Sequence, residues 1–370
     1  MPHAVRDPET IEERMRMFMQ LYAPFRRTVV VGATVLALMP VAAAPALAGT
    51  ADSGDGTVAA AGSLSEFTGV ERLTDDTDPA ADQAVQDSWT PEAMQAARPV
   101  EAVTDQPQAA VGDDVPTAPV SEPSGPLDQG SAEPADPAEP LGAPTTGLAA
   151  PRGSWPSNGV PSVGAFFFDI GPVKWRCTGT VINTGSRNIV ATAGHCIFNH
   201  FPSPNGVFVP GYHDGQAPFG KWSVKSRYIP TQWRNKRNPD FDYGFVVLKD
   251  LNRRRIQDVT GANGWRTNAG YNNYVEITGY PGNRDTPLQC ITATHRLRNY
   301  TWHVEFPCDG FADGVSGSLL MENFNNSTSR GTAIASLGGV DGGGRSDNVS
   351  SAVLWNSGTA AMINAAVRGQ

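Results

Sequence analysis

From about Pro151 to the C-terminus, the apolar residues fall in short runs, each closed by turn residues. Val163–Ile170, Thr178–Ile182, Ile189–Thr192, Phe245–Leu248, Tyr274–Gly279 and Gly331–Leu337 are the clearest. Runs of this length between Gly, Pro and Asn turns read as strands, and many of them in one stretch predict an all-β sandwich or barrel. A helical pattern appears only over Gly358–Val367, and no repeat of fixed period is present.

Charge divides the 370 residues into three parts. Residues 1–48 carry net +1, residues 49–150 net −17, and residues 151–370 net +7, for a chain total of −9. The acidity therefore belongs to the middle part. A spread of +7 with no long basic run is not the footprint of a nucleic-acid binder, and none is expected.

The first part reads as an export leader. Arg26-Arg27 precede the apolar run Val29–Met39, Pro40 ends it, and Ala46-Leu47-Ala48 supplies a small-x-small cleavage site. A secretory signal peptide over 1–48, cut after Ala48, is the expectation. The run is shorter than the ~20 residues of a spanning helix, so no stable membrane anchor is expected. The stretch before Arg26 is long for such a signal. Either translation starts at Met15, Met17 or Met19, or the arginine pair belongs to a twin-arginine leader.

Residues 49–150 are rich in Ala, Pro, Asp, Glu and Ser, with Phe67 and Trp89 as the aromatic residues. Such a composition cannot bury enough apolar surface to offset chain ordering, so most of it is expected to be disordered. A short helix near 91–98 with Thr90 as its cap is the exception. Lying between a leader and a folded module, the segment reads as an acidic pro-segment held against the +7 module, or as an inert linker. A single module, 151–370, remains, and it is expected to act as a monomer.

Cys177, Cys196, Cys290 and Cys308 all lie within that module. An even count in an exported chain suggests two disulfides. None sits in a C-x-x-C pair, so no metal or cofactor is expected.

Three segments carry chemistry. Thr192-Ala193-Gly194-His195-Cys196 sets a histidine beside a cysteine. Asp242 opens the apolar run Tyr243–Leu248, a costly place for a carboxylate unless it is paired. Asp240, two residues earlier and next to Pro239, reads as a solvated turn residue. Asp313-Gly314-Val315-Ser316-Gly317-Ser318 surrounds a serine with small residues that let the backbone approach a substrate. The N–H groups of Gly314 and Ser316 could then face a developing oxyanion. The five histidines other than His195 read as surface or hydrogen-bonded residues.

In these segments, with Cys177-Thr178-Gly179, the chain resembles the trypsin/chymotrypsin family, whose triad runs in the order His, Asp, Ser. The resemblance covers about residues 160–355. It implies two six-stranded antiparallel β-barrels with the active site between them. It further implies a secreted serine endopeptidase acting on protein or peptide substrates, with His195 as general base, Asp242 as its orienting partner and Ser316 as nucleophile. It pairs Cys177 with Cys196 and Cys290 with Cys308. Ser336, Leu337 and Gly338 match the family strand that binds substrate backbone.

Two departures matter. Val315 replaces an aspartate that in trypsin-like zymogens pairs with a freed N-terminus, so that switch cannot operate; the mature start is expected near Ala149–Trp155. Ser318 replaces a glycine, as in the bacterial glutamyl-endopeptidase branch, which Gly279-Tyr280-Pro281-Gly282 also resembles. Ala335, however, occupies the place of that branch's histidine, and glutamate specificity is not supported. Asp309 could serve a trypsin-like pocket only with a shift of one residue, so specificity stays open. The competing readings are an inactive homologue that binds an extracellular ligand and an α/β-hydrolase esterase. The second needs Gly-x-Ser-x-Gly and the order Ser, Asp, His, and has neither.

Overall fold

The computed structural model describes residues 69–75, 78–100, 153–199, 201–202, 205–311 and 313–369. The expected leader over 1–48, the rest of the acidic segment and its junction with the module lie outside the described residues.

The acidic segment contributes β1 (Val70–Thr74), α1 (Pro79–Ser88), α2 (Pro91–Gln95) and β2 (Arg98–Pro99). The Thr90 cap is present, its Oγ1 accepting from Ala93 N at 3.2 Å. The expectation of disorder does not hold for 69–75 and 78–100, because their acidic and aromatic side chains find partners outside the segment. Glu71 pairs with Arg234 at 2.5 Å and Asp82 with Lys249 at 2.8 Å. Trp89 is fully buried, 5.3 Å from the Phe167 ring and with Lys174 Nζ 3.8 Å above it.

The module begins with β3 (Ser154–Pro156), β4 (Val163–Ile170), β5 (Val173–Ile182) and β6 (Ile189–Thr192). A one-turn helix α3 (Gly194–Ile197) and a small hairpin, β7 (Phe198–Asn199) and β8 (Phe201–Pro202), follow. Then come β9 (Val207–Pro210), β10 (Trp222–Pro230), α4 (Thr231–Lys236) and β11 (Gly244–Leu248). The order β10-β11-β6-β5-β4-β9 returns to β10, so these six strands close on themselves as an antiparallel barrel. β9 pairs only with Trp222–Ser223 of β10; β1 takes the vacant edge beyond, at Ser226–Pro230. Phe166, Phe167 and Phe168 are all fully buried although strand neighbours point to opposite faces. Phe167 is buried because Trp89 and Tyr212 cover it.

The second half holds α5 (Ile256–Thr260), β12 (Gly264–Trp265), β13 (Tyr274–Gly279), β14 (Leu288–Ala293), β15 (His295–Arg296) and β16 (His303–Pro307). β17 (Leu319–Asn325), β18 (Arg330–Leu337), β19 (Gly344–Ser346), β20 (Val349–Leu354) and α6 (Ser357–Arg368) complete it. The sheet order is β15-β16-β20-β18-β17-β13-β14-β3. It curls into a half-barrel, consistent with the second barrel expected. The edge of β14 is taken by β3 over Leu288–Cys290, with Cys290 opposite Ser154. The Cys290–Cys308 disulfide joins β14 to the residue after β16. Cys177–Cys196 is the other bond, so both expected pairings are present. No helix of the described residues is long and apolar enough to cross a membrane.

One buried carboxyl in this sheet works against stability. Glu276 on β13 is 3 % exposed beside a cavity of about 80 Å³. Its Oε1 accepts from Gln289 Nε2 at 3.0 Å, but Oε2 has no hydrogen-bond partner. Burial pushes this carboxyl up to about 7. A group that holds its proton more tightly when folded costs nothing below its unfolded value and costs progressively more as pH rises to its folded value. Glu276→Gln should therefore stabilise the protein by roughly 1–2 kcal/mol at pH 8 and by nothing at pH 4. Urea unfolding at both pH values checks this.

Candidate active site

His195 lies in α3, three residues after β6 ends, and Asp242 lies two residues before β11 begins. Gly244 of β11 is opposite Thr192 of β6, so the pairing of these strands brings the two residues together. His195 Nδ1 and Asp242 Oδ2 are 2.7 Å apart, and both side chains are fully buried. Asp242 also accepts from His195 N at 2.8 Å and from Gly339 N at 2.7 Å. Burial alone would push the Asp242 carboxyl up. The His195 ring and the two N–H donors outweigh it and hold the carboxyl below the usual carboxylate range. Gly194 is needed for close approach: a methyl there would stand 2.9 Å from Trp233 Cδ1 and 3.0 Å from Asp242 Oδ1.

Ser316 sits in the loop between β16 and β17, in the other half of the module. That loop is tied across to the barrel. Thr178 N donates to Ser316 O at 2.8 Å, and Thr178 Oγ1 donates to Gly314 O at 3.1 Å. Ser316 O also lies 3.7 Å from Cys196 Sγ, next to His195. Gly317, at φ +88°, packs so tightly on Thr178, Thr192 and Ala193 that no side chain fits. Among the described residues, the N–H groups of Gly314 and Ser316 donate to no protein acceptor. Ser316 Oγ donates to Gly342 O at 3.2 Å, while His195 Nε2 has no partner.

The unusual residues of the serine motif have local roles. Val315 is buried in the core of the second sheet. Ser318 Oγ donates to Val315 O at 2.6 Å, alongside Ser318 N at 2.9 Å, and so holds the loop. Beside Ser316 opens a cavity of about 210 Å³, walled by Phe311, Val315, Leu337 and residues 341–347. Of the three strand residues expected to bind substrate, Leu337 lines this cavity. Ser336 points into the core, where its hydroxyl accepts from Trp355 Nε1 at 3.0 Å. Gly338 backs onto Asp242, with room for no more than its hydrogen atoms: a methyl would stand 3.0 Å from Oδ2. Asp309 is not among the wall residues; its carbonyl accepts from Ser154 Oγ.

Sequence reading missed a second, half-buried His–Asp pair. His303 Nδ1 lies 2.7 Å from Asp240 Oδ1, which also accepts from Trp302 N at 3.3 Å. Asp240 is thus not a solvated turn residue. The pair packs behind Gly339, the residue whose N–H holds Asp242.

The closed barrel and the curled sheet match known structures. The protease Anisep from Arthrobacter nicotinovorans aligns with a TM-score of 0.53 and 27 % identity, over 58 % of this chain and 99 % of its own. The fold is that of the chymotrypsin-like serine proteases. A thermostable serine protease, AL20, from an extremophilic microorganism aligns with the same TM-score at 23 % identity, over 58 % of this chain and 100 % of its own. No protein-family model matches the chain. In sequence it is 24 % identical over 170 residues to an extracellular metalloprotease of Bacillus subtilis (strain 168), across 45 % of this chain. The chain spans about half the length of that curated relative, 52 %.

That relative's name implies a metal ion. Among the described residues, Cys177, His195 and Cys196 have ligand atoms within 4.8 Å of one another. The two sulfurs are bonded to each other and His195 Nδ1 is committed to Asp242. A disulfide offers no thiolate to a metal, so this donor set does not fit one.

Proposed function

We propose that the protein is a secreted serine endopeptidase in which His195, Asp242 and Ser316 act as a triad. The observation that carries this reading is the buried His195–Asp242 pair at 2.7 Å, with Nε2 left without a partner and Ser316 O 3.7 Å from the neighbouring Cys196 Sγ. Asp242 holds the proton on Nδ1, so Nε2 is the basic nitrogen. Ser316 Oγ leaves Gly342 O, turns to Nε2 and gives up its proton as it attacks the scissile carbonyl. The carbonyl oxygen becomes an oxyanion facing Gly314 N–H and Ser316 N–H. Imidazolium then protonates the leaving amine, and an acyl-enzyme on Ser316 remains. Water, deprotonated at Nε2, releases the acid and restores the serine. The long Ser316–His195 approach in the free protein is no obstacle, since such bonds tighten when substrate binds.

Export fits the same reading, because two disulfides persist in an oxidising compartment. With Val315 buried, the loop is held by the Ser318 and Thr178 contacts rather than by a freed N-terminus. The purified protein should digest casein, and a fluorophosphonate should stop it while a chelator does not. Digestion that a chelator abolishes and a fluorophosphonate spares would overturn the serine mechanism.

A further inference from the structure

The acidic segment touches both halves of the candidate machinery from behind. At one end, Asp75 forms an ion pair with Arg227, whose side chain is only 2 % exposed; Nε to Oδ2 is 2.6 Å. Arg227 Nη1 donates in turn to Ile197 O at 3.1 Å, the last residue of the turn that carries His195. At the other end, Arg98 and Pro99 pair in parallel with Trp175 and Arg176 of β5. The Pro99 ring lies against two glycines of the oxyanion region. A methyl on Gly282 would stand 2.7 Å from Pro99 Cβ, and one on Gly314 would stand 3.3 Å from it. Gly282 N donates to Asp313 O at 2.5 Å, and Arg176 Nη2 holds the carbonyls of Pro281, Gly282 and Arg284 at 2.8–3.1 Å. In the same segment, Trp89, Met94, Ala97 and Val100 are buried in the core cluster that includes the barrel interior.

None of the described residues of 69–100 lines the cavity beside Ser316. A segment that blocked the site would have to enter it. This one grips the His195 turn and the Gly314 loop from outside and leaves the cavity open.

We propose that residues 69–100 are a positioning strap of the active site, retained by the working enzyme, with Pro99 seating the oxyanion loop and Asp75 seating the His195 turn. The inference rests on the endopeptidase reading above. A loop that sets an oxyanion donor acts on the transition state and leaves ground-state binding nearly untouched. A strap that only stabilised the barrel would change the melting temperature and not the ratio of kcat to KM.

The test uses the full chain carrying Pro99→Gly, with Pro99→Val as the conservative partner that refills the contact and Asp75→Asn at the other end. Active sites are counted by fluorophosphonate labelling, so only folded, competent molecules enter the rates. Per labelled site, Pro99→Gly should lower kcat about tenfold with KM changed less than about twofold, well short of deleting an oxyanion donor outright, and Pro99→Val should recover most of the loss. Asp75→Asn should lower kcat in the same manner. Native mass spectrometry of the active protein should find residues 69–100 still bound, whether or not the chain is cut between 101 and 152. Unchanged kcat in both variants, or full activity in molecules that have lost 69–100, would overturn the strap and leave the endopeptidase reading standing. Absence of labelling in the unaltered protein would instead remove the endopeptidase reading, and the strap with it.

Discussion

Ser316→Ala should abolish casein hydrolysis, with a fall in turnover of roughly 10⁴-fold or more, because triad members act as a unit. The protein should remain folded. The Ser316 hydroxyl makes one hydrogen bond, 3.2 Å to Gly342 O, so its loss costs only about 1 kcal/mol of stability. His195→Ala should lose comparable activity but more stability, since His195 is fully buried and its removal takes away one of the donors to Asp242. Turnover and thermal melts on the same preparations separate the two effects. Retention of ordinary turnover by Ser316→Ala would make the serine mechanism untenable.

Asp242→Asn is the second large effect expected, about 10⁴-fold in kcat. Asp242 accepts three hydrogen bonds, from His195 Nδ1, His195 N and Gly339 N. An asparagine amide must turn its NH₂ toward at least one of these donors or force the imidazole into the wrong tautomer. The stability loss should depend on pH. The Asp242 carboxyl is held below its ordinary value when folded. Its contribution is therefore fully present above the unfolded value, about 3.9, and is lost as pH falls through the folded one. The stability gap between Asp242→Asn and the unaltered protein, read by denaturant unfolding, should be wide at pH 7 and should narrow as pH falls below the unfolded value of about 3.9. A gap that widened on acidification would contradict this account of the carboxylate.

The strand pattern was legible where side chains alone decide it. Val163–Ile170, Ile189–Thr192 and Tyr274–Gly279 coincide with β4, β6 and β13, because each is an apolar run bounded by turn residues. β10 was not legible. Lys225 and Arg227 interrupt its apolar run, and Arg227 is buried only because Asp75, 152 residues away, meets it. The same long-range pairing hid the order in 69–100, whose composition argues for disorder when read alone. His195, Asp242 and Ser316 were visible through short local motifs. The His303–Asp240 pair was not, since nothing near either residue announces a partner more than sixty positions distant. The short strand β3 was also hidden, because it forms only by taking the edge of β14.

The central claim is that Ser316 Oγ becomes the nucleophile when it turns from Gly342 O to His195 Nε2. Peptide mapping after reaction with a fluorophosphonate tests it most directly. The account predicts a single phosphonyl adduct on the peptide containing Ser316, formed rapidly in the unaltered protein and not at all in His195→Ala. An adduct on another residue, or undiminished labelling of Ser316 without His195, would contradict it.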